Sequence, residues 1–175
     1  LKQSNLKAVT ECGMLMATAL ALSYFKVFQM PGGGSVSFSC LPLFLLAARH
    51  GLHRGVACCG LYGLLLLINS PTILHPIQFL MDYPLAYASI GVSGAVLWNT
   101  PLKAVTATTA ANFIRLHFHV IAGAVYFSAN SNTAKQALIA SYAYNLSHLL
   151  PEIIISATFA FFLIKNQKRL CERQR

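Results

Sequence analysis

Pro76-Ile-Gln-Phe-Leu-Met-Asp82-Tyr-Pro-Leu-Ala-Tyr-Ala-Ser89 places a carboxylate inside an apolar run, in a chain with only four acidic residues. A charge at the middle of a membrane helix costs about 2.5–3.5 kcal/mol or more, so such a residue faces a cavity or a partner and marks a functional site. The composition agrees with a membrane setting. Of 175 residues, 56% are hydrophobic and 10% are charged, whereas soluble domains are about a quarter charged. The net charge of +9 does not point to nucleic acid, because the basic residues sit between apolar runs rather than among aromatics on a polar surface. Cys12, Cys40, Cys58, Cys59 and Cys171 show no paired metal spacing, and their apolar contexts fit reduced packing residues, so no metal site is expected.

Turn-forming and polar clusters divide the chain into six apolar segments, roughly 8–30, 37–48, 54–69, 75–98, 103–129 and 135–164. The expected fold is an all-α membrane protein, one integral domain of six transmembrane helices. The second and third segments are short for a span of about 20 residues, and packing within a bundle would have to protect them. The first segment has features of a signal peptide, but its apolar run continues past the small residues around Ala17, which favours an uncleaved span. Ten of the thirteen basic residues fall on one side of this arrangement: Lys2, Lys7, Arg49, Arg54, Lys103, Lys165, Lys168, Arg169, Arg173 and Arg175. The positive-inside rule then places both termini in the cytoplasm, as expected of a multi-pass plasma-membrane protein.

Depth along each span gathers the polar residues. From the helical rise, Asp82 lies about 9 Å in from the outer end of span four, and His119 and Asn145 lie about 15 Å into spans five and six. All three belong to the outer half, where they can line one pocket. In span five Arg115, His119, Gly123 and Phe127 recur every four residues and share a face. That face is expected to look inward, with Gly123 admitting a ligand close to the backbone and Phe127 offering a stacking surface. Arg115 can balance Asp82 or meet an anionic group, the alternative being an Arg115–Asp82 pair that only holds helices together. Asn145, which can donate and accept, suits the edge of a heterocycle. Glu152, deeper on the same face of span six, is expected to pair with a basic or hydroxyl group between helices, and Pro151 to kink the helix. His117 points away from the His119 face. Met30-Pro-Gly-Gly-Gly34-Ser-Val-Ser37 lacks the Lys-Ser/Thr ending of a phosphate-binding loop and reads as a lid over the pocket. Ala17 and Ala21 form a small-xxx-small pair for helix contact.

Three stretches carry a family resemblance: Met30-Pro-Gly-Gly-Gly-Ser-Val-Ser, Leu41-Pro-Leu-Phe-Leu-Leu-Ala-Ala-Arg49-His-Gly, and His75-Pro-Ile-Gln-Phe-Leu-Met-Asp82-Tyr83-Pro. With His119-Val-Ile-Ala-Gly123 and Tyr144-Asn145-Leu-Ser-His-Leu-Leu-Pro-Glu152, the chain resembles, over nearly its whole length, the thiamine-specific S components of energy-coupling factor transporters. The resemblance implies a six-helix vitamin-binding subunit without enzymatic activity or cofactor. Such a subunit takes up thiamine from outside and docks on a membrane coupling subunit driven by two cytoplasmic ATPases. It further implies ligand contacts at Asp82, Tyr83, Arg115, His119, Gly123, Phe127 and Asn145, and docking through Ala17 and Ala21. Three positions depart from the family pattern. Asp82 stands where Glu is more usual, and the aromatic pair usually found on helices five and six is here Phe127 and Ala140. A thiamine precursor such as the hydroxymethylpyrimidine half therefore stays open as ligand, as do an integral membrane enzyme and a scaffold as different classes of function.

Overall fold

The computed structural model describes residues 3–31, 34–68, 75–128 and 131–167. Helix α1 (Gln3–Ser23) leads into an antiparallel hairpin of β1 (Lys26–Gln29) and β2 (Ser35–Ser37). Helix α2 (Cys40–Leu65) follows, ending in a 3₁₀ turn at Leu66–Ile68. A composite fourth leg contains α3 (Pro76–Leu80), a π-helical turn (Met81–Leu85), α4 (Ala86–Gly91) and a 3₁₀ turn (Val92–Ala95). Two long helices complete the bundle, α5 (Pro101–Ser128) and α6 (Ala134–Gln167). The basic tail residues Lys168, Arg169, Arg173 and Arg175, together with Cys171 and Lys2, lie outside the described residues, as do loop residues 32–33 and 69–74.

The second and third apolar segments are the two arms of α2. Gly51 interrupts the helix at φ 77°, ψ −175°, a backbone conformation that side chains rarely allow. Beyond it the chain turns back: Gly55 lies against Ala47, and the Cys59 thiol faces the Leu43 carbonyl at 4.0 Å. In a straight helix, residues sixteen apart would be about 24 Å apart. The arms are therefore antiparallel. Among the described residues, three stretches have the length and composition to cross a membrane, Asn5–Ser23, Cys40–Ile68 and Ala134–Asn166. Gly51 divides the second of these.

Two expected segments have different outlines. The first is helical only to Ser23, because the aromatic and β-branched run from Lys26 to Gln29 pairs with Ser35–Ser37, with a one-residue irregularity between Lys26 and Phe28. The fourth is broken because Pro84, which has no N–H to donate, sits inside the helical path and is accommodated by the π turn. Helix α6 runs unbroken past Pro151.

Glycines set the closeness of the second arm of α2 to the composite leg. A Cβ on Gly91 would strike the backbone of Gly55 and Val56, and one on Gly63 would strike the Tyr83 carbonyl. The apolar core beside this seam holds Leu43, Phe44, Tyr62, Ile90 and Trp98. Trp98 is 3% exposed and donates its indole N–H to the Ser93 carbonyl at 3.2 Å. On α1, Cys12 and Ala19 turn inward, while Gly13, Ala17 and Ala21 are exposed on another face. Replacing Gly63 by Ala should cost about 1–3 kcal/mol through overpacking against the π turn. Gly60→Ala, whose new methyl would meet Ala88 and Pro84 at ordinary contact distance, should stay within about 0.5 kcal/mol. Thermal unfolding of the two variants in the same detergent checks the contrast.

Candidate functional site

Helix α3 is started by His75, whose Nδ1 accepts the Ile77 N–H at 3.2 Å, and by Pro76 in the first turn. One turn later the π turn presents Asp82 toward α5. Asp82 Oδ1 lies 2.8 Å from His119 Nδ1, and Asp82 Oδ2 accepts the Gln78 side-chain amide at 3.0 Å. The Asp82 side chain is 26% exposed and that of His119 is 13% exposed. An ionised carboxylate only accepts, so it places a proton on His119 Nδ1. His119 Nε2 is buried with no hydrogen-bond partner among the described residues.

Asn145 reaches the same place from α6. Its amide nitrogen donates to the His119 carbonyl at 3.3 Å and to the Ser141 carbonyl at 2.9 Å. Matching depth thus does bring Asp82, His119 and Asn145 together. Tyr83 follows Asp82 in the π turn, with its ring 6.2 Å from that of Phe79. The backbone of Phe127 belongs to α5, and its side chain lies outside the described residues.

One expectation needs correction. Arg115 does not balance Asp82. Its Nη1 donates to Glu152 Oε2 at 2.7 Å, both side chains being buried, and the guanidinium lies 4.8 Å from the centre of the Tyr87 ring. Spacing put Arg115 on the right face of α5, but α6 brings a carboxylate to the same level, and a buried charge takes the partner that neutralises it. Glu152 accordingly meets its expected basic partner between helices. Gly123, for its part, packs against α6 beside Asn145. A Cβ there would run into Ser141 Oγ and approach Asn145 Nδ2 to 3.1 Å, so this glycine serves the contact of α5 with α6.

That contact is a polar seam. Asn112 donates to Ser156 Oγ at 2.8 Å, Arg115 pairs with Glu152, and Ser141 Oγ donates to the Val120 carbonyl at 2.7 Å. His117 is off the seam, exposed, with Nδ1 2.7 Å from the Phe113 carbonyl and its ring edge-on to Tyr142.

Sequence reasoning missed Gln78 and Tyr144. Gln78 stands four residues before Asp82, a helical neighbour by spacing alone. Tyr144 could not be found that way, because its hydroxyl accepts the Gly34 N–H at 2.9 Å and donates to the Pro31 carbonyl at 3.0 Å from 110 residues or more away. In the segment read as a lid, Pro31 and Gly34 are seated on α6 by these bonds. Gly34 packs so closely on the His148 ring that a Cβ would overlap it. At the seam, Gly123→Ala should lower thermal stability by about 1–3 kcal/mol. Adding Ser141→Ala should return part of that loss, and a double-mutant cycle measures the coupling.

With this geometry in view, the similarities to known proteins are informative. Residues 9–172 match the thiamine transporter protein family (Thia_YuaJ). The thiamine transporter ThiT of Bacillus subtilis (strain 168) is 32% identical over 184 residues, which covers 97% of this chain and 96% of that one. ThiT of Lacticaseibacillus paracasei is 26% identical over 144 residues, covering 73% and 72%. A solved structure of ThiT from Listeria monocytogenes has the same fold, with a TM-score of 0.80 at 23% identity, covering 96% of this chain and 98% of that one. The family match takes in every residue of the candidate site, and the chain belongs to the thiamine transporter (Thia_YuaJ) family of membrane proteins.

Proposed function

We infer that this protein is the substrate-binding membrane subunit of an energy-coupling factor importer, and that its ligand is thiamine. The observation that carries the reading is the Asp82–His119 pair, held by Gln78 and adjoining Asn145, with His119 Nε2 buried and unpaired among the described residues. Thiamine joins a cationic thiazolium to an aminopyrimidine. A carboxylate suits the cation, and an imidazole nitrogen beside an amide suits the polar edge of the pyrimidine. The relatives named thiamine transporters point the same way.

The chain crosses the plasma membrane six times with both termini in the cytoplasm, and the pocket faces outward beneath the hairpin. Support comes from the arrangement of the ends. The site lies toward the hairpin end of the bundle, while the basic turn of α2 lies at the other, where Arg49 pairs with Glu11 in the first half of α1. Uptake is driven by a coupling subunit and its two ATPases, with α1 docking through the exposed face of Ala17 and Ala21. The free alcohol is favoured over a phosphate ester, since the guanidinium of Arg115 is committed to Glu152.

Isothermal calorimetry of the detergent-solubilised protein with thiamine tests the reading. It is preferable to tryptophan emission because Trp98, the single tryptophan, is buried in the core away from the site. Saturable binding should be weakened about tenfold or more by Asp82→Asn, the loss of one charge-assisted contact. Thiamine should outcompete thiamine monophosphate. A folded wild-type protein that ignores thiamine yet binds the hydroxymethylpyrimidine half would move the assignment to the precursor.

A further inference from the structure

Glu152 is one of four acidic residues in the chain, and it is 4% exposed. Its two oxygens have different duties. Oε2 takes the Arg115 guanidinium at 2.7 Å, while Oε1 accepts the backbone N–H of Ser37 at 3.0 Å. Ser37 is the last residue of β2, at the base of the hairpin. The same pair holds the start of α2, since Arg115 Nη1 lies 3.2 Å from Cys40 Sγ, and Ser37 Oγ lies 2.8 Å from Ser39 Oγ. A pair that served only to join α5 and α6 would have no need of the hairpin. Here the carboxylate satisfies a strand amide that is otherwise buried, Ser37 being 8% exposed.

We propose that Glu152 is the positioning residue of the hairpin, clamping its base through Ser37, with Arg115 as the counter-charge, and so setting how long a ligand is retained beneath it. The part about retention rests on the reading given under Proposed function; the clamp itself does not. The two ends of the hairpin are held with unequal strength. The base has a charge-assisted bond to a buried carboxylate. The tip has neutral bonds, Gly34 N–H to the Tyr144 hydroxyl at 2.9 Å and that hydroxyl to the Pro31 carbonyl at 3.0 Å. Among the described contacts, those at the base are therefore the stronger. Arg115 also stands one helical turn from His119 on α5, so the counter-charge and the Asp82–His119 pair are carried by the same helix.

Two variants test the clamp. Arg115→Met/Glu152→Leu removes the Ser37 acceptor without stranding either charge. Glu152→Asp keeps the charge that neutralises Arg115 but draws the carboxylate back by one methylene, and it serves if the double variant does not fold. Hydrogen exchange of the detergent-solubilised protein without added thiamine should be about tenfold faster at the Ser37 amide, with α5 and α6 unchanged. Release of radiolabelled thiamine into excess unlabelled vitamin should accelerate about as much. Arg115→Lys, which leaves Glu152 a counter-charge, should keep the protection of Ser37. Wild-type exchange at Ser37 in a folded Glu152→Asp or double variant would overturn the clamp. Faster exchange with unchanged release would confine Glu152 to the strand and overturn its role in retention. A wild type that binds no thiamine would instead sink the ligand assignment, and the exchange measurement would still decide the clamp.

Discussion

The buried ion pair of Arg115 and Glu152 is the constraint around which the bundle is arranged. Two charges taken out of water lose several kcal/mol of solvation each, and only close geometry with further hydrogen bonds returns it. The fold supplies that geometry from five elements: the charges come from α5 and α6, the Ser37 amide from β2, the Cys40 thiol from α2, and the Tyr87 ring and hydroxyl from α4. None of these elements can shift far without exposing a charge to an apolar surrounding. The pair marks a level at which α5 and α6 meet, one helical turn from His119.

Glycines perform the complementary task on the other side of the bundle. Gly51 turns α2 back on itself, and Gly55, Gly63 and Gly91 let the second arm lie directly on the backbone of the composite leg. This close packing is how short arms survive in a bundle meant for a bilayer: they present backbone to neighbouring helices rather than to lipid. It also supports the π turn from beneath, where Gly63 meets the Tyr83 carbonyl. The wide turn places Asp82 so that one oxygen reaches His119 while the other is held by Gln78. A π turn at a candidate binding residue is a recurrent association, and here Pro84 supplies its cause.

Much of this was legible in the residues. Depth along the spans was enough to gather Asp82, His119 and Asn145, because helical rise is constant and each span was bounded by clear turn residues. Orientation on a helix was legible too: His117 was separated from His119, and Glu152 was expected to find a basic or hydroxyl partner. The break in the first segment was harder, since Lys26–Gln29 is apolar enough to continue a helix and pairs as a strand only because Ser35–Ser37 returns beside it.

By itself, the sequence determined the membrane character, the division into apolar segments, the family and the inward faces of the long helices, because composition, periodicity and turn residues act within a few residues along the chain. The tertiary structure decided the partners. Whether Arg115 would meet Asp82 or Glu152, and which side chains Gly123 would pack against, depended on the level at which α6 passes α5. That level is set by the sum of buried contacts between residues tens of positions apart, so it belongs to no single stretch of sequence.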